Sequence, residues 1–268
     1  MVYCADIHGS IEKYQSFFGI PGDYHIIGGD LLPKRGCFKS LYDIQRHFLD
    51  DFLKPLLEVQ KKHTRTLLML GNEDIESLEH FLLQWQEHGL CNHLHGSLFE
   101  VEDFEIIGFK YIPPSPFSNK NFERWDSRGI IQKQFRASVL FQEDGSYANI
   151  DFESYLKSQP SLATLLEKLP KPHDFSKAIY VMHSPPYDSV IDVTVNKEPA
   201  GSQDIRDFIC KHQPALVLCG HIHESPGTVK IGETLVINPG QLYDFAYCLF
   251  QLHEGSIELL KGPPNRGD

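Results

Sequence analysis

The chain has 268 residues, 41% hydrophobic and 23% charged, the balance of an ordinary globular protein long enough for a substantial core. With 36 acidic residues against 25 basic ones the formal net charge is −11, which argues against a protein built to hold nucleic-acid polymers or anionic membranes. No stretch approaches the roughly 18 apolar residues that span a bilayer, whereas a small phosphate-bearing substrate stays open, because bound divalent cations would reverse the charge locally.

The first apolar run, "MVYCADIHG", reads as a strand that breaks at Asp6-Ile7-His8. A structural strand starting at Val2 leaves no place for a signal peptide. A helix is expected over 10–18, and "YHIIGGD" is a second strand ending at Gly28-Gly29-Asp30. Leu41, Ile44, Phe48 and Phe52 share one face of a helix predicted over 40–53, with Pro55 set to kink or end it. "RTLLMLGNED" is a third strand, closed by Gly71-Asn72. Ile75, Leu78, Phe81, Leu82 and Trp85 then mark a helix over 74–88, begun by the acidic residues Glu73 and Asp74. "CNHLHGSLF" carries His93-x-His95, read as structural because no sheet-edge partners accompany it.

Beyond the strand "FEIIGFKYIPP", residues 111–129 form a Pro-rich, aromatic and polar insertion, either an exposed excursion or part of a binding site. In it Trp125 and Asn121 either cover a planar group or bury against the domain. Helices are expected over 153–168 and 202–212, and strands at "KAIYVMHSPP", "PALVLCGHIHE", "ETLVINPG" and "DFAYCLFQL". This alternation predicts βαβ units around a parallel sheet, closed by antiparallel strands at the end. A single domain over 1–262 and a frayed tail at 263–268 are expected. The six cysteines show no C-x-x-C spacing and read as buried, reduced thiols of a cytoplasmic protein.

The informative pattern lies just beyond the strands. Asp6 and His8, Asp30, Asn72, His183, and His221 with His223 each stand at the carboxyl end of an apolar run, where open α/β sheets form ligand sites. Alternate residues of Asp-x-His and His-x-His segments project to the same side of extended chain. Imidazoles with carboxylate and amide oxygens suit Mn, Fe, Zn or Co and argue against a thiolate site. A two-metal site needs a bridging carboxylate, and Asp30 is the natural choice because Gly28-Gly29 lets the backbone come close. Two such ions bind phosphate oxygens and activate water at neutral pH.

In this order "DIH", "GGD", "GN", the His of "VMHSPP" and "GHIH" resemble the five-part signature of the calcineurin-like metallophosphoesterase superfamily. "GGDLLP", "HSPPYDSVID" and "GSQDIRDFI" look most like its Icc-related group. The resemblance spans residues 6 to 223. It implies an α/β fold, a four-layer αββα sandwich of two mixed sheets flanked by helices, and two divalent ions, with Mn favoured. It places the first ion on Asp6, His8, Asp30 and His223, and the second on Asp30, Asn72, His183 and His221. The reaction implied is attack by a metal-bridging hydroxide on a small intracellular phosphate ester, a diester ahead of a monoester.

Many members carry a histidine after the Gly-Asn, where this chain has Glu73. An ionised carboxylate repels phosphate, so Glu73 is expected to turn away as a helix-start residue, and no general acid is assigned. Tyr187, Asp188 and Asp192 are candidate pocket-wall residues beside His183, with Asn72, Tyr187, Asp192 and Trp125 as candidate substrate contacts. Glu224 and Asp74 are candidates to orient the ligands from outside. The rival readings are a nuclease or protein phosphatase of the same fold, a lipid-precursor pyrophosphate hydrolase, and a metal-retaining scaffold without catalysis. No partner beyond a small substrate is implied, and the oligomeric state is open.

Overall fold

The structure, a computed structural model, describes residues 1–34, 36, 38–130, 137–241 and 245–267. Four parallel strands, β1 (Val2–Cys4), β2 (Tyr24–Ile27), β3 (Arg65–Leu68) and β4 (Asn92–His93), make most of a six-stranded sheet. Two antiparallel strands near the end of the chain, β13 (Cys248–His253) and β14 (Ser256–Lys261), complete its β1 side. The second sheet has seven strands, and its parallel centre is β6 (Phe104–Phe109), β9 (Ala178–Met182), β10 (Leu216–Leu218) and β12 (Thr234–Asn238). Antiparallel β5 (Leu98–Val101) lies at one edge, and toward the other β11 (Gly227–Ile231) pairs antiparallel with β12. β7 (Val139–Phe141) and β8 (Tyr147–Asn149) form a separate hairpin.

Strand alternation builds three apolar layers. Tyr3, Ile26 and Leu67 of the first sheet meet Ile106, Ile179, Val181, Leu216 and Leu218 of the second between the sheets. Their neighbours Cys4, Ile27 and Leu68 face α1 (Ile11–Phe18), α2 (Phe38–Phe48), α3 (Lys54–Gln60) and α4 (Glu79–Glu87). Tyr180, Met182, Val217 and Val236 face α6 (Leu162–Glu167) and α7 (Gln203–His212), while α5 (Phe152–Ser158) precedes them in the chain. The expected αββα sandwich of two mixed sheets is therefore the fold.

Several expectations are corrected. The helix from 38 does not end before Pro55 but runs to Gln60 through a π-helical turn at Leu49–Leu53. Pro55 then stands in the first turn of α3, where its missing N–H costs little. The helix expected over 153–168 is two, because Pro160 disfavours helical backbone at Gln159 (φ −98°, ψ 153°) and Ser161 caps α6 afresh. The helix expected from residue 74 begins later, with a 3₁₀ turn at Glu76–Leu78 ahead of α4. The tail does not fray completely: β15 (Asn265–Gly267) pairs in parallel with β11, whose edge offers unpaired backbone groups. The insertion at 111–129 is no exposed excursion, since Phe122 is buried in the core with Val139 and Phe141. Cys4, Cys91, Cys219 and Cys248 are buried and free, Cys210 is exposed, and Cys37 lies outside the described residues.

Candidate metal centre

The carboxyl ends of β1, β2, β3, β9 and β10 converge, and backbone hydrogen bonds lash their loops together. Asp6 N donates to Gly29 O at 3.0 Å, His8 N to Asp30 O at 2.9 Å, and Gly220 N to His183 O at 3.0 Å. Asp6, His8, Asp30 and His221 all adopt left-handed backbone, with φ of 59°, 50°, 53° and 66°. Non-glycine residues rarely settle there unless surroundings hold them. Two glycines make the approach possible. A Cβ on Gly29 (φ 110°) would stand 2.4 Å from His183 Nδ1, and one on Gly71 would stand 2.4 Å from Asp30 Oδ1.

Asp6, His8, Asp30 and His223 each bring one ligand atom within 4.8 Å of the others, the group implied for a first metal. His8 Nε2 and His223 Nε2 face each other at 3.1 Å. His223 Nε2 lies 3.4 Å from Asp6 Oδ1, and His8 Nε2 lies 3.7 Å from Asp30 Oδ2. The second implied group adjoins it. His183 Nδ1 donates to Gly28 O at 2.9 Å, a carbonyl that only accepts, so in a neutral ring Nε2 carries a lone pair. That lone pair faces Asn72 Oδ1 at 3.0 Å and Asp30 Oδ1 at 3.6 Å, and the His221 ring lies 5.4 Å from that of His183. Acceptors facing acceptors at such distances require a proton or a cation between them. Asn72 Nδ2 and His8 Nδ1 are buried without hydrogen-bond partners. This donor set fits two borderline divalent ions.

The electrostatics agree. Burial pushes the Asp6 carboxyl up, but the His223 and His183 imidazoles overcome it and hold it at about 2. Burial likewise opposes charge on His183, yet the Asp30 and Asp6 carboxylates raise it to about 9. Burial holds His221 down at about 3 and His8 at about 4. The cavity therefore draws positive charge while keeping some imidazoles neutral, as ligands must be.

The other candidates fall into place around this cluster. Asp74 is buried, and its carboxylate accepts from Leu31 N at 3.0 Å, Leu32 N at 2.8 Å and Gly71 N at 2.9 Å. It ties the loop of Asp30 to the loop of Asn72 rather than starting a helix. Glu73 is also not a helix-start residue: its N–H donates to Asp30 Oδ1 at 2.9 Å and its carbonyl accepts from Gln45. Asp192 spends its carboxylate on the N–H groups of Asp188, Ser189 and Gly201, so it clamps a turn and does not present itself to a substrate. Tyr187 lies under the Arg128 guanidinium at 3.4 Å, and Trp125 accepts from Leu162 N through its carbonyl. Asn121 pairs through its side chain with the backbone of Phe141, and Glu224 accepts from Val195 N. His93 bonds Glu79 at 2.9 Å, and Lys110 N donates to His95, so this pair is part of a separate polar network.

Residues that the sequence motifs do not mark also stand at the site. Phe117, 39% exposed on the insertion, puts its ring 6.0 Å from that of His221. A pocket of about 100 Å³ opens there between Phe117, Pro113 and Glu224. A groove of about 470 Å³ opens at His223 and shares Glu224 with that pocket. Lys13 reaches Gln241 at 2.9 Å along that groove. The one available signal was an aromatic between prolines and polar residues in "PPSPFSN", too common to weigh alone.

An αββα sandwich with this cluster at its strand ends defines the calcineurin-like phosphoesterase fold class. Residues 165–261 match the family model described as "Metallophosphoesterase, calcineurin superfamily". Over that stretch the chain is similar to that superfamily. Among curated proteins, "Uncharacterized protein MJ1162" of Methanocaldococcus jannaschii is 39% identical over 71 residues, covering 25% of this chain and 33% of that protein. The matched stretch thus spans about a third of that relative's length. One crystal structure superposes with a TM-score of 0.58 at 17% identity, over 97% of this chain and 98% of that one. The crystal structure of TT1561 of Thermus thermophilus gives 0.52 at 17% identity, over 96% of each chain. No helix among the described residues is long and apolar enough to cross a membrane.

Proposed function

We propose that the chain, acting as one domain over residues 1–262, is a cytoplasmic dinuclear-metal phosphoesterase that hydrolyses a small phosphate ester, a diester ahead of a monoester. The observation that carries this reading is the convergence of ligand atoms from Asp6, His8, Asp30 and His223 within 4.8 Å of one another, with His183 and Asn72 adjoining Asp30. Asp6, His8, Asp30 and His223 would hold one ion, and Asp30, Asn72, His183 and His221 the other, with Mn the favoured metal. When bound, such ions supply Lewis acidity toward phosphoryl oxygens and a water acidic enough to attack at neutral pH. The chain's own residues do the rest. Asp30 would be the ligand shared by both ions, Asp74 fixes the spacing of the Asp30 and Asn72 loops, and the Gly28 carbonyl sets the His183 tautomer.

A diester has two arms, and two openings adjoin the cluster, about 470 Å³ beside His223 and about 100 Å³ beside His221. That supports the diester preference. With Glu73 in place of a proton-donating histidine, leaving groups of low pKa need least help, so aryl esters should turn over faster than alkyl esters. The test is a Mn-activated assay with bis-p-nitrophenyl phosphate. Turnover by the wild type and its loss in Asp30→Asn are expected. An inactive wild type, or an active Asp30→Asn, would sink the catalytic reading and leave a metal-binding scaffold.

A further inference from the structure

We infer that the groove beside His223 is the seat of one ester arm, and that this arm is a flat aromatic group, either an aryl ring or a nucleobase. The inference rests on the phosphoesterase reading above and specifies its substrate class.

Three observations carry it. First, the groove adjoins the cluster: His223, whose Nε2 lies 3.1 Å from His8 Nε2, is one of its lining residues. An ester oxygen at the cluster therefore leads its substituent directly into this space. Second, the size is that of a small-molecule site, about 470 Å³, and the lining is stiff and flat. Pro226 and Pro239 stand with Phe245 and Tyr247, whose rings stack at 5.7 Å and 20°. Phe245 is held edge-on by Phe17 at 6.2 Å, so the aromatic wall is fixed before a ligand arrives. Planar faces of this kind favour a planar guest.

Third, charge marks both ends. Lys13 donates to Gln241 at 2.9 Å, and buried Gln241 is locked by its own bonds to Ala246 O and, through its N–H, to His223 O. This places an ammonium next to the cluster. At the other end Lys261 donates to the Tyr247 hydroxyl at 2.6 Å and lies 4.1 Å over its ring. The carboxylate on the lining, Glu224, is engaged by Val195 N. In a chain of net charge −11 this is a cation-flanked, aromatic-walled slot. Lys261 can receive an acceptor group on the distal edge of the ring, which a nucleobase has and a phenyl ring lacks.

The test uses the full-length, Mn-loaded protein and trifluoroethyl phosphodiesters, whose leaving group is not aromatic and whose second arm is methyl, phenyl or thymidine, followed as loss of ester. Tyr247→Ala and Phe245→Ala should lower kcat/KM about tenfold for the phenyl and thymidine arms, and change the methyl ester by less than about twofold. Lys261→Met, a surface change that leaves the walls intact, should lower the thymidine ester alone if the natural arm is a nucleobase, and neither aromatic ester if it is a plain aryl ring. Equal losses for all three arms, or none, would overturn the groove assignment while leaving the phosphoesterase reading in place. A readout independent of turnover is calorimetric binding of phenylphosphonate against methylphosphonate. A tighter phenyl ligand whose advantage vanishes in Tyr247→Ala supports the groove even if no ester is hydrolysed. Equal affinities overturn it.

Discussion

Two buried polar clusters in this molecule solve opposite problems. In the insertion, Lys120 and Glu123 are both 0% exposed, yet every charge has its complement. Glu123 accepts from Lys120 Nζ at 2.9 Å, from Ser115 Oγ at 2.6 Å and from Ser115 N at 2.8 Å, while Lys120 also donates to Ser115 O at 2.7 Å. At the strand ends, two imidazole nitrogens meet at 3.1 Å, an amide nitrogen and an imidazole nitrogen lack partners, and four residues sit in left-handed backbone. A self-satisfied cluster is complete as folded. The strand-end cluster leaves two buried nitrogens unused and gathers four ligand atoms within 4.8 Å. That difference separates a structural ion pair from a ligand site more reliably than burial does, because both are buried.

The most direct challenge to this contrast is to supply or remove the cation. Adding Mn should raise the wild-type melting temperature, and a chelator should reverse it. Asp30→Asn should abolish that shift and lower metal affinity by at least about 100-fold, since partners outside the ligand set alone are worth about 10–100-fold. Metal analysis after gel filtration checks both.

Next in size is the insertion. Glu123→Ala strands the Lys120 ammonium and should cost about 3–5 kcal/mol in urea unfolding, with Mn affinity retained per folded molecule. The double replacement Lys120→Met with Glu123→Leu should recover most of that loss. If it does not, the pair is more than a satisfied structural unit.

Asp74→Asn tests the link between the two regimes, as it keeps the shape but weakens the grip on three backbone N–H groups. Metal affinity should fall about 10–100-fold, with the fold intact by circular dichroism.

The smallest effect is expected at Glu79. Burial pushes its carboxyl up, but the hydrogen bond from His93 and the Lys110 ammonium at 2.6 Å hold it down at about 2. A depressed carboxyl stabilises the fold above its unfolded value of about 4.3, and this is lost as pH falls toward 2. Glu79→Gln should therefore flatten stability against pH over that window, by about 1–2 kcal/mol, and leave it unchanged in slope near neutrality.

How much could be read in advance depended on how each segment solves its burial. Strands sealed on both faces, such as "HII" in β2 and "AIYVM" in β9, are continuous apolar runs and announce themselves. β14, "SIELLK", lies at a sheet edge with both faces largely wet, and β8 is equally polar, so neither stands out from a loop. The seven candidate ligands were legible because each directly ends such a run. Asp74 was visible as an acid but not as a clamp, since its three partners lie at residues 31, 32 and 71. The groove was illegible for a related reason: its walls come from short segments around residues 226, 239, 245–247 and 261, and no local pattern records that they meet.

The left-handed angles at Asp6, His8, Asp30 and His221 bear on how this sequence would drift. Each costs on the order of 1–2 kcal/mol that glycine would not incur. Under selection for folding alone, glycine and asparagine should therefore accumulate at these four positions, as at other positive-φ residues such as Val190 and Gln213. A lineage or a library that keeps carboxylate and imidazole there is selecting for something other than stability. Deep mutational scans scored once for abundance and once for metal retention should thus disagree most at these four residues, with opposite signs.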